Sequence, residues 1–162
     1  MATLARGSAL LGEGREAYVT AMIVSFALFA DAANLSQEGK LNILGVFDAV
    51  QVGQMPALHP RAHLVVRLKG TPADVGTHRV ALRWINPAGS ELWSSEGQVE
   101  LSTPPQPVTE VDIPLIAAID LPLDVPGAYM MQIAVNDEPR ADVPLYVRSV
   151  APFVVPARGM VS

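Results

Sequence analysis

The chain has 162 residues, a net charge of −5 and no cysteine. It is therefore the size of one domain, has no disulfide framework, thiolate metal site or cysteine nucleophile, and lacks the basic surplus of a general nucleic-acid binder. Charged residues are 17% of the chain, against about 25% in ordinary soluble domains, and the mean hydropathy is +0.30. Two surfaces fit this: a neutral Ser, Thr, Pro and Ala exterior over a filled core, or an apolar exterior covered by another protein or lying near lipid.

Residues 1 to 16 carry three glycines and no sustained period, and read as an N-terminal tail outside the core. The most apolar stretch, "VTAMIVSFALFA" at 19 to 30, is far shorter than the roughly 20 residues a membrane-crossing helix needs. Its β-branched and aromatic residues suit a buried strand, and the first strand is expected over 18 to 30. Ala30-Asp31-Ala32 has the shape of a signal-peptide cleavage site. The segment before it, however, is long and carries Arg6, Glu13, Arg15 and Glu16, so a cytoplasmic location is expected.

Fourteen prolines and twelve glycines then punctuate short apolar runs, the pattern of an all-β sandwich or barrel. A second run covers Leu41 to Val52. A third, His63 to Lys69, sets Leu64, Val66 and Leu68 against Arg67 and Lys69. A fourth, Thr77 to Ile85, sets Val80, Leu82 and Trp84 against Arg79 and Arg83. "NPAG" at 86 to 89 is a turn, with Pro87 fixing φ and Gly89 tolerating a positive φ. If these four residues form the loop, Leu82 faces Trp93 and both tryptophans point to the core; a one-residue slip would expose Trp93. The fifth run is Glu91 to Leu101, closed by the proline-blocked "STPPQP". The sixth, Val108 to Ile116, contains Pro114, which marks an edge or a bulge. In the seventh, Ala128 to Val135, Tyr129, Met131, Ile133 and Val135 alternate inward. After "NDEP", the eighth, Ala141 to Val150, answers with Val143, Leu145 and Val147. About eight strands over residues 17 to 150 predict an antiparallel two-sheet, immunoglobulin-like sandwich, followed by an apolar C-terminal tail at 151 to 162.

The stretch "DAANLSQEGKLNILGVFD", residues 31 to 48, invites a ligand reading and fails two tests. A calcium hand needs oxygen ligands at positions 1, 3 and 5, but counting from Asp31 positions 3 and 5 fall on Ala33 and Leu35. A P-loop needs a glycine five residues before Gly-Lys and Ser or Thr after it; Asn34 and Leu41 stand there instead. The scaffold reading has Asp31 and Asn34 opening a turn, Gly39 taking positive φ, Lys40 shielding it, and Leu41, Ile43 and Val46 entering the core. With "FA" before it, this stretch resembles the opening of an uncharacterised family of small bacterial β-sandwich proteins. The match rests on Ala30, Asp31, Ala33, Asn34, Gly39, Lys40, Leu41, Asn42, Ile43, Gly45 and Phe47. It continues through "MPALHPRAHLVVRL", "PAGSELW" and "PGAYMMQIAV", covering about residues 20 to 148. The resemblance implies a fold and no activity.

His59 and His63 stand four apart, but Pro60 breaks any helix across "HPRAH", so these two and His78 are not read as a zinc site. No serine sits on a nucleophile turn, and no carboxylate pair stands out. The chain is therefore expected to be a non-enzyme, with no catalytic residue, metal ligand or cofactor assigned. The favoured function is an accessory or structural subunit that docks on protein subunits of a larger assembly, a membrane-embedded bioenergetic or photosynthetic complex being one such case, with no transmembrane segment of its own. Docking would use sheet surface and the tails, through Leu10, Leu11, Phe153, Val154, Val155 and Met160. The alternative is a soluble sandwich binding calcium or carbohydrate through Asp48, Asp120, Asp124 or an exposed Trp93.

Overall fold

The computed structural model describes residues 22–150, which form an immunoglobulin-like two-sheet sandwich. Nine strands occur among the described residues: β1 (Ile23–Leu35), β2 (Leu41–Phe47), β3 (Ala49–Val52), β4 (Ala57–Gly70), β5 (Gly76–Ile85), β6 (Glu91–Leu101), β7 (Val111–Leu123), β8 (Gly127–Val135) and β9 (Glu138–Ser149). One sheet has the order β2-β1-β4-β7 and the other β3-β9-β8-β5-β6. All pairings are antiparallel except β3 with β9. The crossing from β4 to β5 is made by a single 3-10 turn, Pro72–Asp74, capped by Thr71, whose backbone N–H donates to the buried Asp74 carboxylate.

The core lies between the sheets and follows the alternation read from the sequence. Leu64, Val66 and Leu68 on β4 are buried, as are Tyr129, Met131, Ile133 and Val135 on β8 and Val143, Leu145 and Val147 on β9. Trp84 stands at the centre. It stacks on Tyr129 with centroids 5.1 Å apart, meets Phe29 edge-on, and its indole N–H donates to the Pro122 carbonyl at 2.9 Å. That bond ties β5 to β7 across the sandwich and satisfies the one polar group of an otherwise apolar ring.

Several expectations change. The Leu41 to Val52 run is two strands in different sheets, broken at Asp48, where the chain leaves β1 to pair with β9. The first strand runs on to Leu35, because β1 stays paired with β2 as far as Leu35↔Leu41. Asp31 and Asn34 therefore lie inside a strand, and Ser36 to Gly39 make the turn, with Gly39 at φ +78. The third and sixth strands are longer than expected, starting at Ala57 and ending at Leu123 respectively. "NDEP" is a two-residue turn, with Asn136 at φ 51 and Asp137 at φ 69, the primed geometry that fits the strand twist of a hairpin. Pro114 does mark an edge strand, β7.

Val46 does not enter the core. Period-two alternation groups it with Asn42 and Leu44 on the outside, and Phe47 turns inward to stack on Phe29. Trp84 pairs with Trp93, and Leu82 with Ser95, because an irregularity between Trp84 and Ile85 shifts the register. Both tryptophans still face the core, Trp84 fully buried and Trp93 partly so.

Candidate functional site: an apolar outer sheet face

The two outer faces of the sandwich differ in chemistry. On the five-stranded sheet the outward row of β5 is Arg79, Ala81 and Arg83, beside Gln98, Glu96 and Ser94 of β6 and Gln132 of β8. Arg83 pairs there with Glu91 at 2.7 Å, and Arg79 pairs with Asp137. The Arg83 guanidinium bonded to Glu91 holds that carboxyl below its usual range. This is an ordinary solvated face.

The four-stranded sheet carries the opposite character. Register places Phe26, Arg67 and Pro114 in one outward row. Leu28, Val65 and Ile116 form the next, then Val46, Ala30, His63 and Ala118, then Leu44 and Ala32. Ala30 and Val65 are completely buried yet lie outside the inter-sheet core cluster. At the free edge, Leu44 is 72% and Val46 60% exposed. The one cation in these rows, Arg67, is held by Asp112 at 2.7 Å.

The edge itself is open. β7 carries Pro114 and Pro122, and β6 carries Glu91, Glu96 and Glu100, devices that discourage edge pairing. β2 has neither a charge nor a proline between Leu41 and Phe47. Its charges stand just outside, Lys40 at one end and Asp48 at the other.

The opening motif explains how this edge is held. Gly45 takes φ +68, and the Asp31 side chain fills the space where a Cβ would stand, 3.0 Å from the Asp31 Cβ. The Asn42 amide donates to Asn34 Oδ1 at 3.0 Å on the same strand pair. Lys40 meets Glu38 at 2.7 Å beside the turn. The stretch is a scaffold for the β1–β2 hairpin.

The other candidates are dispersed. Asp120 accepts from the Arg61 backbone N–H at 2.8 Å. Asp124 accepts from the Asn86 amide and the Tyr129 hydroxyl at the end of the sandwich. The Asn86 hydrogen bond lowers the Asp124 pKa, and burial raises that of Tyr129. The Asp48 carbonyl receives the Tyr146 N–H where the chain changes sheets. No group of three His, Asp or Glu side chains suited to a metal occurs among the described residues. His59 packs on Phe47, His63 bonds the Arg61 carbonyl, and His78 bonds the Asp74 carbonyl and Asn136. Trp93 faces inward, so it does not offer the exposed ring that stacking on a sugar needs. Leu10, Leu11, Phe153, Val154, Val155 and Met160 lie outside the described residues.

Sequence reasoning named sheet surface without its residues. The available signal was apolarity at both parities, in "SFALFA" of β1 and "LVV" of β4, which marks a strand covered on both faces.

A family profile, described as a family of unknown function (DUF6941), matches residues 25–148. The chain belongs to this family. DUF6941 membership agrees with the resemblance drawn from the opening motif and assigns no chemistry. No curated protein matches the chain. Two solved structures are similar in outline to this DUF6941 domain. One is an immunoglobulin-like protein of Pseudomonas aeruginosa, 13% identical, covering 80% of this chain and 98% of its own, with a TM-score of 0.38. The other is the Pseudomonas fluorescens alkylpurine DNA glycosylase AlkC bound to DNA containing an abasic site analogue. It is 11% identical with a TM-score of 0.38, and covers 79% of this chain; the chain spans 30% of that protein. Among the described residues no helix is long and apolar enough to cross a membrane.

Proposed function

We propose that this DUF6941 domain is a non-catalytic interaction module, an accessory subunit that docks on a larger protein assembly through the outer face of its four-stranded sheet. The observation that carries the reading is the exposure of Leu44 and Val46 at the open edge of an apolar row system, while the opposite face is charged. Exposed apolar side chains on an unprotected edge strand are a liability that a partner removes. A protein partner that adds a strand to β2 would gain main-chain hydrogen bonds and, from its own side chains, apolar contact with Leu44 and Val46. Lys40 and Asp48, at opposite ends of β2, favour a partner strand with the complementary charges at its ends. The low charge content of the chain suits the periphery of a membrane-embedded complex, the finer form of the proposal.

The test is affinity purification in gentle detergent from native membranes and cytosol, comparing the wild type with a Leu44→Glu/Val46→Glu variant. Both positions are exposed, so the variant should fold with a stability change within about 0.5 kcal/mol per site. The expected result is a stoichiometric protein partner with the wild type and its loss with the variant. A partner that the folded variant retains, or a wild type that purifies alone from both fractions, would overturn the proposal.

A further inference from the structure

The sandwich is open on one flank, where the edges β6 and β7 of the two sheets face each other across a cavity of about 300 Å³. Its lining is mostly aliphatic, with Leu64 and Val66 from β4, Val80 and Leu82 from β5, Val99 from β6 and Leu115 from β7, and its polar residues, Ser95, Glu96 and Gln98, all lie on β6. The void has an identifiable cause. On β6 the inward positions opposite Val80 and Leu82 are Gly97 and Ser95, where Trp93, Val99 and Leu101 show that the strand otherwise carries large side chains. Nothing in the backbone requires Gly97. It is absent from the positive-φ glycines, and a Cβ built on it would meet no atom within 4 Å. A glycine in a strand interior weakens the strand and often marks a place that a ligand approaches closely.

We propose that this inter-sheet cleft binds one aliphatic chain of about ten carbons. The cavity sits at the small end of ligand pockets, which run from about 300 to 1,000 Å³. At about 30 Å³ per methylene-sized group, the volume of a water in the liquid, it holds about ten. From Ser95 to Val99 the slot runs about 13 Å at about 3.3 Å per residue, which leaves it about one chain wide.

The experiment is calorimetric titration of the full chain with 1-decanol, with chemical-shift mapping of the methyls of Val80, Leu82 and Val99. 1-Decanol should bind at one per chain and shift those methyls. Gly97→Val should raise the thermal midpoint, because it fills the void, and weaken binding by about tenfold or more. Ser95→Leu, on the same inward row, provides the same test by a second route. Leu44→Glu, on the docking face, should leave binding unchanged, so failure here and failure of the docking proposal are separable. No binding of 1-decanol, or unchanged affinity in both filling variants, would overturn the proposal. So would binding that appears only after residues 151 to 162 are deleted, which would assign the cleft to the chain's own terminus, or a dimer that Gly97→Val disperses, which would assign it to a second copy.

Discussion

Replacing Gly45 by alanine should be among the most costly small changes on this surface, for two separable reasons. Gly45 sits in the free edge strand at φ +68, and an L residue in the left-handed region costs about 1–2 kcal/mol. The new methyl would also stand 2.9 Å from Asp31 Cγ and 3.0 Å from its Cβ. Asp31 is exposed, so its side chain can swing aside, at about 0.5–1.5 kcal/mol for a strained χ angle. The expected total is about 2–3 kcal/mol. Gly39 is the internal control. Its φ is +78, but nothing lies within 4 Å of its Cβ position, so Gly39→Ala should cost only the backbone part, about 1–2 kcal/mol. The difference, about 1 kcal/mol, is a coupling between positions 31 and 45, and an Asp31→Ala background should remove it. Urea unfolding followed by far-UV circular dichroism measures each cost as a shift in midpoint at unchanged slope. The reasoning is refuted if Gly45→Ala costs no more than Gly39→Ala, or if its cost is the same with and without the Asp31 side chain.

The Asp124 carboxylate predicts a pH dependence. Its pKa lies below the ordinary 3.8, chiefly because the Asn86 amide donates to it. The folded state therefore binds its proton less readily than the unfolded state. The stabilisation is complete above 3.8 and is lost as pH falls through the lower folded value. Unfolding free energies at about pH 6 and about pH 3 should show a smaller acid loss in Asp124→Asn than in the wild type; equal losses would assign the acid sensitivity elsewhere. In the β8–β9 turn, Asp137 occupies φ 69, which glycine adopts freely. Asp137→Gly should relieve about 1 kcal/mol of backbone strain. It gives up only an exposed ion pair with Arg79, worth about 0–1 kcal/mol. Thermal melts should therefore show an unchanged or higher midpoint, and a clear fall would mean the ion pair outweighs the backbone.

Legibility followed the range of the interaction. The β8–β9 hairpin was readable because period-two alternation and a two-residue turn are local, and its inward residues, Tyr129 to Val135 and Val143 to Val147, are those buried in the structure. The "NPAG" turn was readable for the same reason, although its hub was not. Asn86 is buried, and its side-chain oxygen accepts from the Ala88 and Ser90 N–H groups, a role that Pro87 and Gly89 do not reveal. Val46 was misplaced because Leu41 to Val52 has apolar residues at both parities, so the pattern alone cannot say which parity faces the core. The register across "NPAG" was missed by two residues, Leu82 pairing with Ser95 instead of Trp93, in part because a bulge at Trp84 leaves no mark in composition.

The sequence by itself determined that the chain is β throughout its readable length, that it carries no recognisable catalytic or metal-binding spacing, and that it has few charges for its surface. These follow from residue types and their period, which act within a strand or a turn. Only the tertiary structure decided where the apolar outer face and its exposed edge lie. Whether Leu28, Val65 and Ile116 form a row depends on β1, β4 and β7 being neighbours in a given register, and whether Gly97 opens a cleft depends on β7 standing opposite β6 in the other sheet. Strand order and sheet pairing are set by the summed packing of residues far apart in the chain, and that sum is settled when the sheets meet.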